Sequence, residues 1–204
     1  GVSPERVFAV HNAVEIEEQQ VPSTRPFEDK MVTFLGRITF QKGPDYFVRA
    51  ARKVIDQNKK VRFVMVGTGD MYPRMIELAA DLGIGKYFHY TGFLKRDQIK
   101  QIYGMSDLYV IPSVSEPFGL TALEAMAQGV PVIVSKQSGV SEVIENAIKL
   151  DFWDVDAIAK AILDVIGNDE LHTQMKHGGL EEVRRISWAN SAEKLEEVYR
   201  QVLS

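Results

Sequence analysis

Two short stretches of the 204-residue chain combine residue types that can hold an anionic ligand. The first is Gly36-Arg37-Ile38-Thr39-Phe40-Gln41-Lys42-Gly43, in which two cations five residues apart bracket a loop. Arg and Lys are the usual side-chain partners of a diphosphate, which carries about two negative charges. The second is Pro112-Ser113-Val114-Ser115-Glu116-Pro117-Phe118-Gly119-Leu120-Thr121-Ala122-Leu123-Glu124-Ala125-Met126. Pro117 suits a helix start, and Gly119 lets backbone or ligand approach closely. The N–H groups of Gly119, Leu120 and Thr121 would then form a helix N-terminus, which attracts anions through its dipole and its unsatisfied donors. Glu116 precedes that turn and Glu124 lies about a turn inside the helix. One carboxylate at each end can accept hydrogen bonds from sugar or ribose hydroxyls. Plainer readings stand beside both stretches: solvated surface cations for the first, and carboxylates favourably placed near a helix N-terminus for the second.

Both loops follow apolar, β-branched runs, and such runs recur. Met31–Leu35 stops at Gly36, Val61–Val66 at Gly67, Tyr87–Thr91 at Gly92, and Leu108–Ile111 at Pro112-Ser113; Val130–Val134 stops at Ser135, and Ala147–Leu150 is a weaker sixth strand. Helical periodicity separates them: Phe47, Ala50, Ala51, Val54 and Ile55 form one stripe, residues 70–82 a second helix, Ile99, Ile102 and Tyr103 mark a third, and 119–128 a fourth. This alternation predicts an α/β fold: a doubly wound, Rossmann-like parallel sheet of about six strands with helices on both faces. The tail reads as helical, with stripes at Val155, Ile158, Ala159, Ile162 and Ile166 and at Leu195, Val198, Tyr199 and Val202. Residues 20–29 read as a linker, which divides the chain into an N-terminal segment, 1–29, and one domain, 30–204. In open sheets of this kind ligands sit outside the carboxyl ends of the strands. That rule singles out Gly36-Arg37, Gly67-Thr68-Gly69, Gly92-Phe93-Leu94, and Ser113 through Gly119.

Composition narrows the function classes. Apolar residues make up 45% of the chain and charged residues 25%, which fits a globular protein rather than a disordered or fibrous one. Cysteine is absent, so thiolate metal sites, disulfides and cysteine nucleophiles are excluded together. A net charge of −4 argues against nucleic acid as a partner. No apolar run approaches the roughly 18 residues needed to cross a bilayer, and no secretory signal is visible, so a cytoplasmic location is expected. Asp154-Val155-Asp156 has the form of a metal–diphosphate motif, but Asp154 as a helix N-cap with Asp156 in the first turn explains it. Gly67-Thr68-Gly69-Asp70-Met71-Tyr72 is a weak dinucleotide fingerprint: it follows the second strand and has Tyr72 at the third glycine position. An NAD-dependent oxidoreductase is accordingly the weaker alternative. His11, His89, His172 and His177 have no metal spacing. Ser138-Gly139-Val140-Ser141-Glu142 reads as a turn and short helix that could line the site, Lys59-Lys60 as a polar strand entry, and Trp188 as a packing anchor opening the last helix.

The block Glu116-Pro117-Phe118-Gly119-Leu120-Thr121-Ala122-Leu123-Glu124-Ala125-Met126-Ala127-Gln128-Gly129-Val130-Pro131-Val132, with Gly36-Arg37 and Gln41-Lys42-Gly43 upstream, resembles the C-terminal domain of retaining GT-B glycosyltransferases. The match is to family 4 (glycosyltransferases group 1), whose relatives include glycogen and starch synthases, and it runs from about residue 30 to residue 200. Asn12-Ala13-Val14-Glu15 resembles the Asn-Gly-Val/Ile-Asp turn that opens such domains, with Ala13 and Glu15 departing from it. The resemblance implies one half of a GT-B fold that binds a nucleotide-diphosphate sugar and transfers a hexosyl group, a glucosyl group if it follows the glycogen and starch synthases. Arg37 and Lys42 would grip the diphosphate. Gly119, Leu120 and Thr121, with the Thr121 hydroxyl, would hold sugar hydroxyls and the distal phosphate. Glu116 would contact the transferred sugar and Glu124 the ribose diol. The base would lie against Gly92-Phe93-Leu94, with Gly36, Gly67 and Phe118 completing the donor site. No metal or other cofactor is implied. The N-terminal half, which binds most of the acceptor and through which the parent enzyme could touch a membrane, has no counterpart in this chain. The isolated domain is expected to bind its donor and transfer sugar poorly. A non-catalytic nucleotide-sugar-binding module is the other reading.

Overall fold

The strands form where β-branched and aromatic runs can be covered from both sides. In the computed structural model, which describes residues 3, 7–15 and 24–203, these are β1 (Lys30–Leu35), β2 (Val61–Val66), β3 (Phe88–Gly92), β4 (Leu108–Ile111), β5 (Val132–Ser135) and β6 (Ile148–Leu150). They pair in parallel in the order β3-β2-β1-β4-β5-β6. All of β4 and β5, and all of β1 beyond Lys30, are buried, as a parallel sheet between two helical layers requires. The helices are α1 (Pro44–Gln57), α2 (Tyr72–Asp81), α3 (Arg96–Met105), α4 (Leu120–Ala127), α5 (Val155–Gly167), α6 (Asp169–Arg185) and α7 (Trp188–Leu203). Helix α1 packs on α2 and α5, and α4 on α6. The doubly wound Rossmann-like architecture is as the sequence predicts.

The boundaries move for local reasons. Tyr87 closes a 3-10 turn (Gly85–Tyr87) and β3 begins one residue later. Strand β5 begins after Pro131, which has no N–H for the ladder but gives its carbonyl to Tyr109 N at 2.9 Å. Helix α6 buries only Met175, Gly179 and Val183, a stripe too thin to stand out in the sequence. The predicted stripe of α7 is helical yet has no fully buried residue, and Leu195, Tyr199 and Val202 are exposed. Residues 20–23 of the expected linker, and 1, 2, 4–6 and 16–19 of the N-terminal segment, lie outside the described residues. From Thr24 onward the chain is tied to the sheet by an Arg25–Asp107 ion pair and by Arg62 Nε donating to Asp29 at 2.7 Å.

Candidate functional site

The sheet order reverses direction between β1 and β4. These strands are neighbours, and the loops that leave their carboxyl ends open a crevice between them. The two loops predicted to bind an anion are therefore adjacent, although their key residues are 74 positions apart. Val114 N donates to Gln41 O at 2.9 Å. A Cβ at Gly43 would fall 2.0 Å from Pro112 O, and its φ of 63° is left-handed, so only glycine fits between the loops. Lys42 Nζ donates to the Glu116 carboxylate, with the two side chains 15% and 10% exposed. The Glu116 backbone forms a parallel bridge with Ser138, and its carbonyl accepts from Gly139 N at 2.9 Å. A Cβ on Gly119 would lie 3.4 Å from Glu116 Cγ, and Gly119 (φ 110°) caps α4 without any side chain bonding the helix's first N–H groups. Lys42, Glu116 and the open amino end of α4 thus meet in one place. Gly36 lies beside the Lys42 methylenes, and Arg37 is exposed with no ion-pair partner among the described residues.

Thr121 differs from expectation. Tyr109 OH lies 3.0 Å from Leu35 O, which can only accept, so its proton goes there. The Thr121 hydroxyl, 2.8 Å away, must then donate to the Tyr109 oxygen, and it faces inward rather than into the crevice. Tyr103 OH donates to Thr121 O at 3.0 Å and also lies 3.4 Å from Glu124 Oε2. Burial drives both tyrosine pKa values well above the usual phenol range, so both remain neutral donors. The sequence marks neither tyrosine as anything but an apolar strand or helix residue. A hydroxyl inside an otherwise apolar, fully buried strand is the available signal for Tyr109.

At the other end of the crevice a cavity of about 760 Å³ opens between α3 and α4. Its walls include Phe93 (79% exposed), Leu94, Leu120 and Glu124, with Val14 closing one side. Glu15 pairs with Arg96 at 3.2 Å. Burial raises the Glu124 pKa, while the Tyr103 hydroxyl and the Arg96 charge pull it back. Trp188 also lines this cavity and is 54% exposed, which corrects its reading as a packing anchor. It opens α7, and that helix is tied to the N-terminal segment by Ser191 Oγ donating to His11 O at 2.9 Å. The His11 ring in turn stacks on Phe118, with centroids 6.0 Å apart and planes at 22°.

Other expectations resolve into packing. A Cβ on Gly67 (φ 125°) would lie 2.0 Å from Gly36 O, and one on Gly69 would lie 2.3 Å from Ile38 O. These glycines zip the loop after β2 onto the loop after β1. The Asp154 side chain caps α5 by accepting from Ala157 N at 2.9 Å, and Asp156 pairs with Lys53 at 2.6 Å. Among the described residues no cluster of three or more His, Asp or Glu side chains could hold a metal ion, and no helix is long and apolar enough to cross a membrane.

Comparison with known proteins adds a family. Residues 15–182 match the family "Glycosyl transferases group 1". An uncharacterized glycosyltransferase of Methanocaldococcus jannaschii is 35% identical over 178 residues, 85% of this chain and 45% of that protein. A D-inositol 3-phosphate glycosyltransferase of Corynebacterium diphtheriae is 30% identical over 183 residues, 85% of this chain and 43% of that protein. The chain therefore spans about half the length of the curated relatives it matches. The crystal structure of the C-terminal domain of a glycosyl transferase group 1 family protein from Francisella tularensis superposes with a TM-score of 0.72 at 24% identity. It covers 91% of this chain and 97% of that one.

Proposed function

The chain belongs to the glycosyl transferases group 1 family, and from that premise we propose that it is the donor-binding half of a retaining hexosyltransferase that uses a nucleoside-diphosphate sugar. The observation that carries this reading is the meeting of Lys42, Glu116 and the uncapped amino end of α4 between the loops after β1 and β4. Two cations and a helix N-terminus suit a group whose negative charge grows as it departs, which is what a leaving diphosphate does. Arg37, exposed beside Gly36, is free to swing onto the same group. Glu116 has two tasks: it holds Lys42 in place, and its remaining lone pairs accept hydroxyls of the transferred sugar. Neutralisation by Lys42, Arg37 and backbone N–H groups removes the need for a metal ion.

The nucleoside belongs at the opposite end. Phe93 offers a ring face to a base, and Glu124 can accept both hydroxyls of a ribose diol. Gly119 and Leu120 reach the sugar and distal phosphate through their backbone rather than through side chains, and Thr121 contributes its N–H only. Nothing favours the dinucleotide reading, because Gly67 and Gly69 are occupied in close backbone packing.

Calorimetric titration of UDP, ADP and GDP, their glucose and mannose conjugates, and NAD tests the reading. We expect at least one nucleoside diphosphate to bind, and NAD to bind far more weakly. No binding by any nucleoside diphosphate would overturn it. The chain spans about half of its relatives, so we expect donor binding without robust sugar transfer. Full activity should return only with the companion half, for which an inositol phosphate is one acceptor worth trial.

A further inference from the structure

We propose that Tyr46, Phe152 and Trp153 form a carbohydrate-binding ledge beside the crevice, which takes the flat C–H face of a glycan ring; this rests on the glycosyltransferase reading above. Tyr46 lies in the first turn of α1, four residues after Lys42, and Phe152 and Trp153 follow the carboxyl end of β6. All three therefore sit on the same side of the sheet as the candidate donor site. Tyr46 and Phe152 meet edge-on at 5.2 Å and 66°, and Phe152 and Trp153 at 4.8 Å and 86°. Phe152 is held between its two neighbours, while Trp153 is left 56% exposed. The turn that presents it is rigid: Asp154 N donates to Asp151 O at 3.0 Å, and Val155 N to Trp153 O at 3.0 Å.

The polar groups around the ledge decide its occupant. Lys136 Nζ donates to Asp151 Oδ2 at 2.9 Å, and Gln137 Nε2 donates to Asp151 Oδ1 at 3.1 Å. Asp151, two residues before the exposed indole, thus holds an amide and an ammonium oriented on its carboxylate. An apolar protein partner would strip water from this half-exposed ion pair on docking without replacing it. A pyranose has the matching chemistry: C–H groups of slight positive charge on its face meet the negative face of the ring, and equatorial hydroxyls at its rim meet the amide and carboxylate. The ledge is also continuous with the crevice. Gln137 adjoins Ser138, whose backbone bridges to Glu116, the residue that holds Lys42. A glycan lying on Trp153 would thus approach the transferred sugar from the side opposite the nucleoside cavity.

The chain has two tryptophans, so in a Trp188→Phe variant all indole emission comes from Trp153. That variant, titrated with maltoheptaose, cellohexaose and mannopentaose, should show a saturable blue shift with at least one of them. By calorimetry, Trp153→Ala should weaken that oligosaccharide about tenfold relative to the unsubstituted chain, Trp153→Tyr should retain most of the affinity, and Asp151→Asn should fall between. Nucleoside diphosphate affinity, measured on the same Trp153→Ala sample, should match that of the unsubstituted chain. No emission change with any of the three oligosaccharides, or equal affinity in Trp153→Ala, would overturn the ledge. Failure of the unsubstituted chain to bind any nucleoside diphosphate would instead overturn the donor reading, which is read out separately.

Discussion

The two ends of the crevice are built in opposite ways. At the proposed phosphate end the backbone does the positioning: Gly43 and Gly119 take left-handed conformations, loops bond to loops, and the charged side chains Lys42 and Glu116 are nearly buried against each other. At the proposed nucleoside end side chains line an open cavity, with Phe93 and Trp188 more than half exposed. Backbone donors cannot be changed by mutation without changing the fold, whereas exposed side chains can vary freely. The phosphate end is thus suited to a group shared by every nucleoside-diphosphate sugar, and the nucleoside end to the choice among bases.

The largest effect should come from disturbing the backbone at the phosphate end. Gly43→Ala places a methyl 2.0 Å from Pro112 O in a left-handed conformation. It should cost about 3 kcal/mol and lower the melting temperature by roughly 6–12 °C by calorimetry. Next, Lys42→Ala should weaken nucleoside diphosphates about 100-fold, because it leaves the Glu116 carboxylate unpaired and facing an anion. Arg37 has no ion-pair partner to orphan among the described residues, so Arg37→Ala should cost only about fivefold in the same titration. Equal losses in the two variants would erase the asymmetry between them.

Effects smaller than the Lys42 loss are expected at the nucleoside end. Glu124→Gln should weaken every ribose-containing ligand about tenfold, whatever its base. Its effect on stability has the opposite sign. Burial raises the Glu124 pKa from its ordinary 4.5, so the folded protein holds that proton more tightly than the unfolded chain does. The stability linked to this group is therefore fully present below pH 4.5 and is lost as pH rises through the raised value. Glu124→Gln should melt slightly above the unsubstituted protein at about pH 7, with the difference shrinking toward about pH 4. Donor affinity should fall over the same acid range as Glu124 gains its proton. Smallest of all, Phe93→Ala should cost about threefold, by an amount that depends on the base, because much of the stacking face is open to water.

Much of this arrangement is legible in the sequence, for reasons that differ by residue. Buried strands ending at Gly36, Gly67 and Ser135 stand out because a parallel sheet leaves no polar alternation. Arg37, Lys42, Glu116 and Glu124 stand out because charged residues next to such ends face a crevice. The Lys42–Glu116 pair does not, because it depends on β1 lying beside β4, and strand–helix alternation alone does not specify that order. The inward turn of the Thr121 hydroxyl is hidden because its partner, Tyr109, reads as one more apolar residue of a buried strand. The exposure of Trp188 is hidden because a large aromatic at a helix start commonly packs inward, whereas here it closes a cavity contributed mainly by α3 and α4.

The most direct measurement compares one nucleoside as its diphosphate and its monophosphate, titrated into the unsubstituted chain and into an Arg37→Ala/Lys42→Ala variant. We expect the unsubstituted chain to prefer the diphosphate strongly and the double variant to lose that preference while retaining its weaker hold on the nucleoside. A preference for the diphosphate that survives in the double variant would contradict a diphosphate grip by Arg37 and Lys42.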